Sequence, residues 1–471
     1  MTNFDTIAAI STPFGKGGVA VIRLSGTDAL AVTQKIFRPK SARYPSLSHA
    51  PARSMVYGEI LSPDSQEILD DVLCVYFPAP HSFTGEDVVE ISCHGGVLVT
   101  RSVLTACLTA GARAAEAGEY TRRAYLNGRM MLPEAEALGT LLEAGNNEQL
   151  RLARSGMKGH LAREMEKIYH RLVTLLANME VGMDFPEEDL TEIPREDMTA
   201  ILRDIREALE GLKATYRTGH AIAEGVPTVI VGCPNAGKSA LYNRLVGRDA
   251  AIVTNIAGTT RDILSETVSL GRVTLRLSDT AGLRDTHDPV EKIGVARAKE
   301  ALDEAELVLA LFDGSVAPSE EDLKLLHTLK ELMVQGKSIV YILTKKDIWP
   351  DEWHAPFIAD DRSSVGVGFI PFSSNSGEGM ETLISVVENK FIDENLDTGA
   401  SAIVFSARQF AALSECTAAL ARAVDALEMQ LPYDLCAEEL REALSSLGEL
   451  SGHSVREEVI SEIFHKFCVG K

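Results

Sequence analysis

The hydrophobic pattern changes period three times along the chain. Residues 1–120 alternate short apolar runs with turns: Val19–Leu24 before Ser25-Gly26, Val72–Phe77 before Pro78, and Val88–Ser92 before His94-Gly95-Gly96. Such runs predict strands. Gly96 then opens a predicted helix over 97–110 that stops at Gly111. This region reads as α+β. From about 121 to 218 the period is helical: Leu161, Met165, Ile168, Leu172, Leu175 and Met179 recur at steps of three and four and share one face. The acidic, proline-punctuated segment 185–197 predicts a loop between two long helices, the second over roughly 198–214.

Residues 226–390 alternate strands with helices, the pattern of a parallel, doubly wound sheet. After about 400 the helical period returns. Phe410, Leu413, Leu420, Val424 and Leu427 share a face, as do Leu440, Leu444 and Leu447. Neither flanking helical stretch can bury its apolar stripe alone, so the two are expected to pack together with the α/β unit inserted between them. The expected boundaries are 1–120, 121–218, 219–395 and 396–471.

Composition narrows the class. A chain of 471 residues is too long for one compact core. The formal charge of −22 repels phosphate backbones at long range, which disfavours tight unaided nucleic-acid binding. Seven scattered cysteines include no CxxC pair, so neither a zinc site nor a disulfide framework is suggested, and a reducing cytoplasm is expected. The first residues lack a basic segment followed by an apolar one, and no apolar run approaches the roughly 20 residues needed to cross a bilayer.

The chemistry is concentrated in the third region. The strand Thr228–Val231 runs into GCPNAGKS (232–239) and then a helix beginning ALYNRLV, the strand–loop–helix setting of a phosphate loop. Glycines at 232 and 237 let backbone N–H groups curl around phosphates, where a helix N-terminus adds positive potential. Lys238 is expected on the β- and γ-phosphates and Ser239 on magnesium. Downstream, AGTTRD (257–262) offers Thr260 as a second magnesium hydroxyl. DTAG (279–282) places Asp279 in the outer magnesium shell and the Gly282 N–H near the γ-phosphate. The strand Ile339–Leu343 ends at TKKD (344–347), whose Asp347 carboxylate can accept two hydrogen bonds from guanine, for which adenine has no matching donors. Thr344 stands where Asn is more usual and is expected to donate one hydrogen bond. SSN (373–375), after Phe369–Phe372, is a candidate base-covering loop. Leu283 fills the place of a water-positioning Gln, so hydrolysis needs another route. An arginine finger, worth roughly 10³–10⁵ in rate, or a bound cation would meet the transition-state charge.

Over nearly its whole length the sequence resembles the MnmE (TrmE) family of tRNA-modification GTPases. The resemblance is carried by DTIAA, GKGGVAVIRLSG, FTGEDVVEISCHGG, GEYTRRAYLNGR, GCPNAGKS, IAGTTRD, DTAGLR and the closing FCVGK. It implies an N-terminal α+β tetrahydrofolate-binding domain that also forms a homodimer, a central helical domain, and a Ras-like P-loop G domain inserted in it. It implies a GTP site at Asn235, Ala236, Gly237, Lys238, Ser239 and Ala240; Thr254, Asn255, Ile256, Ala257, Gly258, Thr259 and Thr260; Asp279, Thr280, Ala281 and Gly282; Thr344, Lys345, Lys346 and Asp347; and Ser373, Ser374 and Asn375. A potassium ion held by Asn235, Thr254, Ile256 and Thr259 would replace the arginine finger, with magnesium on Ser239 and Thr260. Glu291 would orient the attacking water through a second water. Arg23, Glu90, Arg129 and Lys471 match folate contacts for a 5-formyl or methylene form; the third position is commonly Lys. Cys468, in FCVGK, matches a cysteine important for modification.

The implied activity is GTP hydrolysis coupled to adding a carboxymethylaminomethyl or aminomethyl group to the fifth carbon of the wobble uridine of certain tRNAs. The implied partner is the flavoprotein MnmG (GidA), bearing FAD and using NADH, in a heterotetramer or larger assembly in the cytoplasm. The alternative is a ribosome-assembly GTPase without modification activity. Such a protein would be expected to end in a basic RNA-binding domain, whereas this chain ends in acidic helices and FCVGK.

Overall fold

The computed structural model describes residues 5–40, 43–184, 193–248, 265–278, 302–349, 368–452, 457–465, 467, 469 and 470. It divides into two compact units, Met1–Gly139 with Gly448–Lys471, and Thr140–Leu447.

The first unit is built on a seven-stranded sheet. Its strands are β1 (Ile7–Ile10), β2 (Val19–Ser25), β3 (Phe37–Pro39), β4 (Met55–Leu61), β5 (Ile68–Phe77), β6 (Val88–His94) and β7 (Arg113–Ala114), in the order β3-β4-β5-β6-β2-β1-β7. All neighbours are antiparallel except β1 and β7. Side chains alternate across a strand, so Ile22 and Leu24 of β2 and Val89, Ile91 and Cys93 of β6 face one side. There they join buried residues of α1 (Ala29–Ile36) and α2 (Val97–Thr109) in the core. Arg23 and Glu90, directly opposite one another across β2 and β6, occupy the alternate positions on the other face. Next comes α3 (Glu119–Leu126), followed by α4 (Leu132–Glu143). The helix Glu457–His465 packs Ile460 and Phe464 on Leu132 and Ala135, joined by Phe467. The last described residues lie back on the sheet: Val469 bridges to Ala117, and the Ser11 hydroxyl donates to the Gly470 carbonyl at 2.9 Å.

The second unit combines helices with a six-stranded sheet. Before the sheet come α5 (Asn147–Met157), α6 (His160–Asp184), α7 (Arg195–Ala214) and α8 (Tyr216–Ala223). All six residues of the α6 stripe, Leu161 to Met179, are buried. Strands β8 (Val226–Gly232), β9 (Ser265–Leu270), β10 (Val273–Ser278), β11 (Leu307–Asp313), β12 (Ser338–Thr344) and β13 (Phe369–Pro371) lie in the order β13-β12-β11-β8-β10-β9. Interspersed are α9 (Lys238–Arg248), α10 (Glu320–Val334) and α11 (Met380–Phe391); α12 (Ala407–Glu428) follows.

Five strands are parallel, as the alternation predicts, but β9 runs antiparallel to β10. The cause is local: Gly271 and Arg272 alone join them, and a two-residue connection makes a hairpin, never a parallel crossover. On the helical side, α7 and α12 pack together although the whole sheet lies between them in sequence. Arg195 reaches across to the carbonyls of Leu427 and Leu431, and its guanidinium lies 4.4 Å from the centre of the Tyr433 ring.

Candidate functional site

The phosphate loop leaves β8 at Gly232 and enters α9 at Lys238. Two residues in it take positive φ, Asn235 at 62° and Gly237 at 95°. At Gly237 any side chain would strain the backbone, whereas Asn tolerates the left-handed region better than most residues. Asn235, Ser239 and Ala240 are exposed and Ala236 is buried. Lys238 folds back over the loop, its Nζ donating to the carbonyls of Gly232 at 2.8 Å and Cys233 at 3.0 Å. Burial pulls the pKa of its ammonium down. A partly desolvated cation at a helix N-terminus, where unpaired backbone N–H groups gather, is a receptor for a polyanion.

The residues expected to recognise the base converge from β12 and the loop after β13. Asp347 accepts from the Ser373 hydroxyl at 2.7 Å on one oxygen and from Asn375 Nδ2 at 2.7 Å on the other. The Ser373 and Asn375 hydrogen bonds hold its carboxyl below the usual range. An ionised carboxylate accepts at about four lone-pair positions, and these two side-chain donors do not fill them. Ser374 sits beside them, half-buried. Lys345 takes a left-handed backbone at φ 60° and pairs through Nζ with Asp313 at 2.6 Å; Lys346 pairs with Glu378 at 2.5 Å.

Thr344 behaves differently from the expectation that it donates to the base. It is buried, and its hydroxyl lies 2.8 Å from the Ala236 carbonyl and 3.1 Å from the Phe312 carbonyl. The single hydroxyl proton is therefore directed at backbone acceptors.

Thr254, Asn255, Ile256, Ala257, Gly258, Thr259, Thr260, Asp279, Thr280, Ala281, Gly282, Glu291, Cys468 and Lys471 lie outside the described residues.

In the first unit, Arg23 and Glu90 form a forked pair: Glu90 Oε1 accepts from Nε at 2.9 Å and Nη2 at 2.7 Å. The Arg23 guanidinium lies 5.7 Å from the ring centre of Tyr120 and 5.9 Å from that of Phe83, and the Tyr120 hydroxyl donates to the Arg23 carbonyl at 2.6 Å. Phe83 belongs to the loop before β6, whose Gly85 abuts the stem of Arg129. A cation–carboxylate pair edged by an exposed phenylalanine, with a second arginine, Arg129, packed against the same loop, suits a flat, anionic, heteroaromatic ligand.

Several contributors escape a reading by motif. Asp313, at the end of the buried β11, fixes Lys345; an acid closing the apolar run LVLALF was its available signal. Trp349 donates Nε1–H to the Thr344 carbonyl at 2.9 Å. Arg123, almost fully buried, bonds Asp5, Glu86 and Glu119, and beyond the i,i+4 pair with Glu119 no spacing announces that cluster. Burial and a hydrogen bond to Asp322 push the Cys233 thiol up to about 11, so it stays a thiol.

A strand–loop–helix with a lysine over its carbonyls, beside a carboxylate held for a base, defines a P-loop nucleotide-binding protein. Two family models match: the GTP-binding protein TrmE N-terminus over residues 6–129, and the MnmE helical domain over residues 132–468. The tRNA modification GTPase MnmE of Moorella thermoacetica is 42% identical over 99% of both chains. That of Lactobacillus delbrueckii subsp. bulgaricus is 38% identical over 100% of this chain and 99% of its own. Among solved structures, the G domain of the T. maritima FeoB iron transporter matches 35% of this chain and 97% of its own, at 26% identity and a TM-score of 0.25. The chain belongs to the MnmE family of tRNA modification GTPases. Among the described residues no helix is long and apolar enough to cross a membrane.

Proposed function

We propose that the chain hydrolyses GTP to GDP and phosphate in the service of tRNA wobble-uridine modification. The observation that carries the guanine assignment is Asp347, ionised and held by Ser373 and Asn375 with acceptor capacity to spare. A carboxylate satisfied by N–H donors of guanine and left unpaired by adenine discriminates strongly between the two. Lys238 and the N–H groups entering α9 bind the phosphates. Ser239, exposed on the first turn, and Thr260 would hold magnesium, which supplies positive charge between the phosphates. Asn235, exposed at a left-handed turn of the loop, would hold potassium with Thr254, Ile256 and Thr259. That ion would supply the charge an arginine finger provides elsewhere. Glu291 orients the attacking water.

The proposal extends to the other parts of the chain. Arg23, Glu90 and Arg129, with Lys471, bind a reduced folate carrying a one-carbon unit in the 5-formyl or methylene form, and Cys468 takes part in the modification. The working particle is a homodimer with the flavoprotein MnmG (GidA), which contributes FAD and NADH, acting on tRNA in the cytoplasm. Residues 1–120, 121–218, 219–395 and 396–471 are the corresponding domains. The test is GTP hydrolysis in potassium against sodium at equal ionic strength. Stimulation by potassium that Asn235→Ala abolishes is expected; indifference to the ion removes the cation from the scheme, and failure to hydrolyse GTP in either salt removes the reading altogether.

A further inference from the structure

The hydroxyl of Thr344 has one proton, and the two polar atoms of the described residues that bond to it, the Ala236 and Phe312 carbonyls at 2.8 and 3.1 Å, are both acceptors. Its lone pairs accept and cannot serve an acceptor on a nucleotide. Backbone contacts immobilise the residue further. Its carbonyl accepts from the Gly314 N–H at 3.1 Å and from Trp349 Nε1 at 2.9 Å, and its side chain lies over the backbone of Gly237. Thr344 is therefore bound at one end to β11 and at the other to the phosphate loop, one residue after Asn235.

Guanine presents donors on the edge carrying N1 and N2 and acceptors at N7 and O6. Asp347 takes the donor edge. With Asp347 on that edge and the phosphates on the loop that Thr344 touches, a side chain at position 344 would lie nearest the imidazole ring, through which the base is joined to the ribose and phosphates. The atom exposed there is N7, an acceptor.

Resting on the guanine-nucleotide reading, we infer that Thr344 is a brace for the phosphate loop that reads no atom of the base. This chain then recognises its nucleotide without pairing N7 through a side chain at that position. An asparagine there would differ, because its amide has two N–H groups: one can keep the Ala236 carbonyl and the other can reach N7.

The test is calorimetric titration of the full-length protein with GDP and with 7-deaza-GDP, whose C–H at position 7 accepts nothing. The wild type is expected to bind the two within about twofold of each other. Thr344→Asn should tighten GDP by about three- to tenfold and leave 7-deaza-GDP unchanged. Thr344→Val, which keeps the shape but removes the donor to Ala236, should weaken both ligands in equal proportion. If GDP binds the wild type and 7-deaza-GDP binds more than about tenfold weaker, the brace assignment fails while the guanine reading stands. The assignment also fails if Thr344→Asn tightens both alike, or if Thr344→Val weakens GDP alone. If neither nucleotide binds, both readings fall.

Discussion

Arg23 and Glu90 face each other across β2 and β6, and one carboxylate oxygen takes both guanidinium hydrogen bonds, at 2.9 and 2.7 Å. On the proposed folate reading, the second oxygen of Glu90 would accept from N–H groups of a bound heterocycle while Arg23 keeps the first oriented. Both side chains are about one-quarter exposed, so the pair contributes little to stability, about 0–1 kcal/mol. Their main effect should fall on ligand binding. Arg23→Ala and Glu90→Gln are each expected to weaken 5-formyltetrahydrofolate at least about tenfold, a loss of about 1.4 kcal/mol, with the melting temperature nearly unchanged. Titration calorimetry beside a thermal melt separates the two effects; a large fall in melting temperature with binding intact would show the pair to be structural.

The cluster around Arg123 should behave in the opposite way. Arg123 is 1% exposed and reaches Glu119 at 2.9 Å, Glu86 at 3.2 Å and Asp5 at 3.2 Å. Arg123→Met leaves the buried Glu86 without this cation, while Arg113 still pairs with Glu119 and with the exposed Asp5, and breaking a buried pair in this way costs about 3–5 kcal/mol. Denaturant unfolding is the measurement, and a loss under about 1 kcal/mol would contradict the assignment.

The same cluster sets an acid limit. Burial alone would raise the Glu119 carboxyl, but hydrogen bonds from Arg113, the Glu116 N–H and Arg123 outweigh it and hold the group below 4.5. A carboxyl whose folded pKa is depressed adds stability that is whole above the unfolded value and lost as pH falls through the folded one. Stability of the wild type should therefore drop below about pH 4.5. Glu119→Gln should flatten that part of the profile. An unchanged acid slope in the variant would place the titration elsewhere.

The two halves of the chain differ in what their sequences disclose, for physical reasons. In the nucleotide site each residue is tied to a neighbour a few positions away: Asn235 to Lys238 on one loop, Thr344 to Asp347 on another, Ser373 to Asn375 on a third. Local spacing therefore carries the chemistry. The role of Thr344 was hidden, because its hydrogen-bond partners lie 108 and 32 residues away. In the first unit three of the strands and the helix over 97–110 stand out as apolar runs, but β1, β3, β4 and β7 do not. Strands this short, or with mixed faces such as Met55–Leu61, take their identity from partners rather than from alternation. The antiparallel β9 was hidden for the same kind of reason, since direction is decided by the length of a turn.

The β9–β10 turn is clamped from two sides. The Arg272 N–H donates to Glu388 of α11 at 2.7 Å, and its Nε to Glu148 of α5 at 3.2 Å. Glu148 also accepts from the Thr398 hydroxyl at 3.0 Å, while the α5 cap Asn146 reaches Ser269 and Thr274 at 3.0 and 3.2 Å. The hairpin lies between the two segments that carry AGTTRD and DTAG, so the clamp ties it to the helices. Glu148→Ala removes the acceptor of both Arg272 and Thr398. With these groups partly exposed the cost should be about 1–2 kcal/mol. Amides of β9 and β10 should exchange hydrogen faster in this variant, and those of β4 and β5 should not. Uniform acceleration across both sheets would mean global unfolding rather than release of the hairpin.

Gly118 offers a test of how the C-terminal helix is held. Its φ of 64° lies in the left-handed region, and a Cβ there would stand 2.2 Å from the Phe464 carbonyl oxygen. The obstacle is backbone of the helix Glu457–His465, so it cannot swing aside as a flexible side-chain tip would. Gly118→Ala thus combines left-handed strain of about 1–3 kcal/mol with displacement of the helix that carries Phe464 into its pocket with Leu132 and Ala135. Because Val469 bridges to Ala117, the neighbour of Gly118, the shift should pass directly into the last residues of the chain. Limited proteolysis should cut the C-terminal segment of Gly118→Ala well before the sheet-bearing body, and Phe464→Ala, which empties the same pocket without backbone strain, should show the same order of cleavage. If Gly118→Ala resists cleavage as well as the wild type does, the close approach of Gly118 to Phe464 is not what seats the helix.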